Sequence, residues 1–369
     1  MKALITGGGT GGHIYPALAI ARKIKMEYKN VDILYVGTEK GLEAEIVPKE
    51  GFKFKTIRVK GFSRKLSKDT FKSIKELFLG LNDAKKVIKE FKPDIVIGTG
   101  GYVCGPIVLT AALKKIPTII HEQNAFPGVT NRILSRFVDK VAGSFEESRK
   151  YFKDVNKLVI TGNPIRQDIV GYNKEVAYKD LNIDPNRPFV LCFGGSGGQK
   201  KLNDAMLDVI VNNKNNTSIQ IIHVTGKRLY DSFMEGLKQK GVDKLTDNIR
   251  IYPYFFEVPK ALSIADVAIT SGGAIAIAEI TAVGIPSILI PKAYTTENHQ
   301  EYNARALEKN GAGIVILEKD LNGELLNKEI INLLSDKIKL KEMAERSRKM
   351  GIINADDRIL NILRELLGE

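Results

Sequence analysis

The chain has 369 residues, enough for two domains with cores of their own. A hydrophobic share of 43% and a charged share of 27% are those of a globular protein, and no apolar run approaches the roughly 20 residues that a membrane-spanning helix needs. The net charge of +13 sits in one half: residues 1–163 carry 29 Lys and Arg against 16 Asp and Glu, whereas the remainder carries 27 of each, so a polyanion (acidic lipid, nucleic acid or a diphosphate) is expected to meet the first half.

Met1 leads straight into an apolar strand, Lys2–Thr6, so no cleavable leader is expected. Gly7-Gly8-Gly9-Thr10-Gly11-Gly12-His13 follows, then helical spacing over Pro16–Tyr28. Further strands are expected at Val31–Val36, Lys53–Ile57, Asp94–Ile97, Thr118–Ile120, Lys140–Ala142 and Leu158–Ile160. The basic stretch 60–81 leads into a helical pattern over Lys72–Glu90. Phe71, Ile74, Phe78 and Leu81 share one helical face there, with Leu77 beside them and Lys68, Lys72 and Lys75 at its borders. An apolar stripe edged by lysine suits either a membrane surface or packing on a sheet. Turn residues 161–166 mark the linker. The second half repeats the scheme, with strands at Phe189–Phe193, Ile219–His223, Ile249–Tyr252, Val267–Thr270, Ser287–Ile290 and Gly313–Ile316, and the chain closes on an amphipathic helix, Asp356–Leu367. Short apolar runs separated by helices indicate an α/β protein with parallel sheets covered on both faces. Cys104 and Cys192 lie far apart in apolar surroundings and read as core thiols of a reducing compartment.

The chemistry concentrates where strands end. Gly7–Gly12 and Gly194-Gly195-Ser196-Gly197-Gly198 each join a strand to a helix, an arrangement that aims backbone N–H groups at an anion. Two such units suggest two nucleotide-binding folds with a cleft between them. The first loop also fits the dinucleotide fingerprint, but the acidic residue expected at the end of the second strand is lacking there, since Glu39 comes late. His13, at the entrance of the helix, suits a general base or a structural cap. Gly98–Pro106, with Gly100, Gly101 and Tyr102, forms a third glycine loop and a second candidate anion pocket. His121-Glu122-Gln123-Asn124 places four polar residues at a strand's carboxyl end, to meet either a ligand or one another. Glu279, following Ser271-Gly272-Gly273, suits two ribose hydroxyls, and the polar loop 295–300 suits a sugar. The chain contains no Asp-x-Asp triplet and no Cys/His spacing for zinc, so neither a metal nor a cofactor is expected.

Seven motifs in this order, Gly7–His13, Gly98–Pro106, His121–Asn124 with Pro127-Gly128, Gly162–Arg166, Gly194–Ser196, Gly272–Glu279 and Asn298–Ala304, resemble the MurG-type N-acetylglucosaminyltransferases of glycosyltransferase family 28 over essentially the whole chain. The resemblance implies a GT-B fold, two Rossmann-like domains facing across a cleft, divided as an acceptor domain 1–163, a donor domain 164–350 and a helix 351–369 that packs back on the first. It implies inverting transfer of N-acetylglucosamine from UDP-N-acetylglucosamine to the 4-hydroxyl of lipid I, an undecaprenyl-diphosphate-linked muramyl pentapeptide, giving lipid II with a β-1,4 bond. The implied setting is the cytoplasmic face of the cell membrane, with an anionic lipid surface rather than nucleic acid as partner. By position, His13 would deprotonate the acceptor. Thr10, Gly11, Gly12 and Asn124 would lie near the donor sugar, with Gly8 and Gly9 toward the acceptor diphosphate. Arg166 and Ser196 would hold the UDP phosphates, Phe255 would lie against uracil through its backbone, Glu279 would bind ribose, and Gln300 with Glu301 would grip sugar hydroxyls. The chain departs from the family pattern at Gly197 (usually glutamine), at 270–272 (commonly Ser/Arg-rich), at Ala276 (commonly threonine), at Asn298 (usually aspartate) and at Glu301 (often glutamine).

Overall fold

The computed structural model describes residues 1–60, 68–166, 169–195 and 197–369, without the side chains of residues 68–74 and 296. The chain divides into two compact units, 1–164 with 354–369, and 165–353.

The first unit is built on seven strands, β1 (Lys2–Thr6), β2 (Asp32–Gly37), β3 (Lys53–Thr56), β4 (Ile95–Gly98), β5 (Thr118–Glu122), β6 (Lys140–Gly143) and β7 (Leu158–Ile160), all parallel in the order β3-β2-β1-β4-β5-β6-β7. Its crossovers carry α1 (Gly11–Glu27), α2 (Glu43–Lys49), α3 (Lys68–Phe91), α4 (Cys104–Leu113) and α5 (Val129–Leu134). Side chains alternate between the faces of a strand, so one sheet feeds two cores. Ala3, Ile5, Tyr35, Ile97 and Ile119 pack on one face with Ile14 and Leu18 of α1. Leu4, Val36, Val96 and Ile120 pack on the other with Val87 of α3 and Ile107 of α4.

The second unit repeats this design with β8 (Phe189–Phe193), β9 (Gln220–Val224), β10 (Ile249–Tyr252), β11 (Val267–Thr270), β12 (Ser287–Leu289) and β13 (Gly313–Val315), parallel in the order β10-β9-β8-β11-β12-β13. Its helices are α6 (Lys174–Asp180), α7 (Lys200–Asn212), α8 (Tyr230–Gln239), α9 (Val258–Ile264), α10 (Ala274–Val283), α11 (His299–Lys309), α12 (Gly323–Ser335) and α13 (Lys337–Met350). Val190, Cys192 and Ile269 face α7, α8 and α12, whereas Phe189, Leu191 and Ala268 face α6, α9 and α10. Both cysteines are buried free thiols.

The chain then returns to the first unit as α14 (Ala355–Leu367), whose Ile359, Leu360 and Leu363 join the core beside Ile20 and Ile24 of α1. Lys23 bridges Asp357 (2.7 Å) and Glu27 (2.9 Å) along that seam.

Three elements run longer than their sequence pattern. Helix α1 starts at Gly11 rather than near Pro16, because the extended Thr10 caps it and its carbonyl accepts from the N–H groups of His13 (3.1 Å) and Ile14 (3.2 Å). His13 therefore sits in the first turn. Helix α3 begins at Lys68, four residues before the expected start. Strand β5 runs on through His121 and Glu122, which pair with Ala142 and Gly143 of β6. His121 is wholly buried as a result and belongs to the fold rather than to a ligand surface.

Burial pushes the imidazole of His121 down to about 4. It pushes that of His223, packed against Phe233, down to about 3. Both folded values lie below the ordinary 6.5, so below that pH the unfolded chain takes up protons that the folded chain refuses. Their contribution to stability is complete above pH 6.5 and is lost as the pH falls toward 4 and then 3. The unfolding midpoint is expected to drop steeply between pH 6.5 and 4, and His223→Leu is expected to flatten that drop. Parallel acid titrations of wild type and variant by circular dichroism would contradict this if the two curves fell together.

Candidate active site

In an open parallel sheet, ligands bind beyond the carboxyl ends of the strands, at the point where strand order reverses. That point lies between β1 and β4 in the first unit and between β8 and β11 in the second. All four glycine-rich loops singled out in the sequence leave the sheets there.

In the first unit the loops after β1 and β4 interlock. The Gly8 N–H donates to Gly100 O at 3.3 Å. A Cβ at Gly7 would collide with Thr99 Oγ1, and one at Gly101 with Gly8 O, so close packing demands glycine at both positions. Glu43 lies beneath the first loop, wholly buried. Its carboxylate accepts from Gly9 N (3.1 Å), Thr38 N (3.1 Å) and Thr38 Oγ1 (2.7 Å). The Gly8 and Gly9 amides are thus spent inside the fold, on Gly100 O and Glu43, instead of being held out to a phosphate. The Gly100 N–H is likewise turned to Cys104 Sγ at 3.2 Å. Tyr102 stands over Gly9 and is 37% exposed, the outward-facing member of this pair of loops. Gly12 opens outward at the start of α1, and Gly11 lies against the Tyr15 ring.

His13, half-buried in the first turn of α1, places Nδ1 3.2 Å from Gln123 Oε1. The Gln123 amide cannot be turned the other way, because its Nε2 donates to Thr99 O (2.8 Å) and His121 O (3.3 Å). The same nitrogen reaches His121 Nδ1 at 3.0 Å, and His121 Nε2 meets Gly162 O at 3.1 Å. Glu122 binds four donors: Asn124 N and Nδ2 on one oxygen, Gly128 N and Asn131 Nδ2 on the other. The tetrad 121–124 therefore divides. His121, Glu122 and Gln123 are buried and meet one another and the backbone, while Asn124 is half-exposed at the rim.

In the second unit, Arg166 Nε lies 2.9 Å from Glu279 Oε1, so two residues singled out 113 positions apart form one ion pair, half-exposed at the arginine and buried at the carboxylate. Ser196 falls outside the described residues. The loop that contains it is pinned on its far side. Gln199 Nε2 donates to Ile290 O (3.0 Å) and Glu318 Oε1 (2.8 Å), and Lys292 Nζ donates to Gly198 O (2.9 Å). Burial holds the Lys292 ammonium below the ordinary lysine range. Gln300 Oε1 accepts from Lys292 N at 3.0 Å, so its amide NH2 is the part left to offer a sugar hydroxyl. Glu301 Oε2 accepts from Asn298 Nδ2 at 2.5 Å. Glu297 and Asn298 both adopt left-handed backbone (φ 52° and 55°), a strained pair for residues other than glycine. The Phe255 ring packs on Tyr252, with ring centroids 4.8 Å apart, and against the core.

Glu43, Gln199 and Lys292 carry no motif, and the sequence reading missed them. The available signal was indirect: an acid was sought at the end of β2, and the loop is served instead by an acid six residues beyond that strand.

The family models for the N-terminal and C-terminal domains of glycosyltransferase family 28 match residues 3–143 and 189–359. A relative from Acetivibrio thermocellus is 51% identical over 100% of this chain and 98% of its own, and one from Clostridioides difficile is 52% identical over 97% and 87%. The chain belongs to glycosyltransferase family 28. Both relatives are named UDP-N-acetylglucosamine–N-acetylmuramyl-(pentapeptide) pyrophosphoryl-undecaprenol N-acetylglucosamine transferase. Among solved structures, MurG of Acinetobacter baumannii aligns over 99% of both chains with a TM-score of 0.78 at 27% identity, which places this family 28 chain in the GT-B class. A UDP-GlcNAc 2-epimerase from Neisseria meningitidis, at 0.68 and 15% identity, shares the fold alone.

Glu43→Ala is expected to lower unfolding stability by about 3 kcal/mol, because Gly9 N and Thr38 lose a charged acceptor. Turnover should fall as well. Glu43→Gln should recover part of both losses. Urea denaturation with a transfer assay checks this, and wild-type behaviour of the alanine variant would contradict it.

Proposed function

We propose that this chain transfers N-acetylglucosamine from UDP-N-acetylglucosamine to the N-acetylmuramyl pentapeptide carried on pyrophosphoryl-undecaprenol, with the base in the first unit and the donor contacts in the second. The observation that carries the reaction is similarity at about half identity over the full length, spanning both domains in order.

The reaction is a single displacement. The acceptor 4-hydroxyl attacks the anomeric carbon of the donor sugar, the bond from that carbon to the diphosphate breaks, and UDP leaves with the electron pair. Inversion gives the β-1,4 linkage. His13 takes the hydroxyl proton. Arg166, its Nε committed to Glu279, turns its terminal nitrogens to the leaving diphosphate, joined by Ser196 and the glycine loop before α7. In the second unit Glu279 receives the ribose, Phe255 meets uracil through its backbone and Gln300 takes the sugar; in the first, Asn124 and the turn Thr10–Gly12 are assigned to sugar recognition by the family resemblance. Tyr102 and Gly101 face the acceptor.

An anionic membrane surface is the natural setting for a lipid-borne acceptor. The charge excess of the first half supports it, as do exposed Phe78 (68%) and exposed Lys75 on α3, with Leu77 partly buried beside them. Phe71, Ile74, Lys68 and Lys72 belong to the same proposed face, and their side chains lie outside the described residues. Among the described residues no helix is long and apolar enough to cross a membrane.

Purified protein mixed with radiolabelled UDP-N-acetylglucosamine and a short-chain lipid acceptor is expected to move label into the lipid fraction, with or without EDTA. His13→Ala should keep UDP-sugar binding and lose about 10²- to 10⁴-fold in turnover. Label that stays in the aqueous phase as an epimerised sugar nucleotide would overturn the transferase reading, and near-normal turnover of the alanine variant would remove His13 from the role of base.

A further inference from the structure

We infer that Gln123 is a positioning residue that fixes the tautomer of His13, so that Nδ1 carries the proton and Nε2 is the atom that accepts the proton of the acceptor hydroxyl. The inference rests on His13 as base and adds which nitrogen acts and what enforces the choice.

Thr99 O and His121 O are carbonyls and only accept, so the group of Gln123 that faces them is its NH2. Its Oε1 is then the atom 3.2 Å from His13 Nδ1, and a carbonyl oxygen there requires a proton on Nδ1. In the neutral ring the lone pair must therefore lie on Nε2. His121 closes the chain in the same sense. Its Nε2 faces Gly162 O and donates, so Nδ1 carries a lone pair and accepts from Gln123 Nε2. A protonated His121 would have no acceptor for its second N–H at that place, and burial keeps the ring neutral far below physiological pH. The chain is Gly162 O, His121, Gln123, His13, with every donor matched to an acceptor in one direction only.

In the loop after β4, a Cβ at Gly100 would collide with the imidazole ring, and Thr99 Oγ1 donates to the His13 carbonyl at 2.8 Å. The two nearby carboxylates are committed elsewhere: Glu43 to Gly9 and Thr38, and Glu122 to Asn124, Gly128 and Asn131. His121 is the titratable group coupled to His13. The partner of His13 Nδ1 is thus a neutral amide.

Conservative and disruptive replacements of the same side chain test the assignment. Gln123→Glu keeps an acceptor at Nδ1 and, protonated on its other oxygen, a donor to Thr99 O, so most of the turnover is expected to survive. Gln123→Met removes the acceptor, so kcat should fall about 10²-fold or more with the donor KM little changed. UDP-sugar binding and the unfolding midpoint of each variant establish that the protein is folded. If His13→Ala is inactive while Gln123→Met keeps wild-type kcat, the base reading stands and this inference is overturned. If His13→Ala is itself active, the base reading fails first.

Discussion

A parallel sheet ends all its strands on one edge, and a sheet that grows from its middle must reverse strand order once. At that reversal two neighbouring strands send their chains in opposite directions, and the gap between them opens on the carboxyl edge. This single constraint places the working residues of each unit. The loops after β1 and β4 meet at the gap of the first sheet, and those after β8 and β11 flank the gap of the second. His13 owes its position to it, since the first turn of α1 begins as soon as the loop after β1 has cleared the sheet.

Holding such loops in place requires polar groups in the interior, and both units offset the desolvation cost with hydrogen bonds from buried side chains. Glu43 carries the first glycine loop from below on three donors, and Glu122 carries the segment after β5 on four. The second unit uses Gln199, Glu318 and Lys292 to tie the loop after β8 to the strand end at Ile290. The glycines in the first loops are consequently a packing requirement, set by Thr99, Glu43 and each other, and their amides serve the fold before they serve any ligand. That revises the simplest view of a glycine-rich turn as a bare phosphate cradle.

The strands were legible because strands buried on both faces become continuous apolar runs such as Ile95–Ile97 and Phe189–Phe193. The start of α1 was not, because glycine has no helix preference to reveal and only the Thr10 cap decides it. His121 through Asn124 announced themselves as costly polar residues, yet which of them faced inward depended on how far β5 continued, and that is set by pairing with β6 rather than by local sequence. Arg166 and Glu279 could each be named, but their mutual ion pair spans 113 positions and belongs to the folded chain alone. Glu43 and Lys292 were invisible because their partners are mostly backbone atoms, Gly9 N and Thr38 N for the one and Gly198 O for the other, which leave no trace in side-chain patterns.

On the role proposed for His13, the base site is set before any substrate arrives. Nitrogen-15 NMR of histidine-labelled full-length protein, with His13→Gln to assign the resonances, tests this directly. At neutral pH and without substrate, His13 should show a protonated, pyrrole-type Nδ1 and a pyridine-type Nε2. The opposite tautomer, or an averaged pair of shifts, would contradict it.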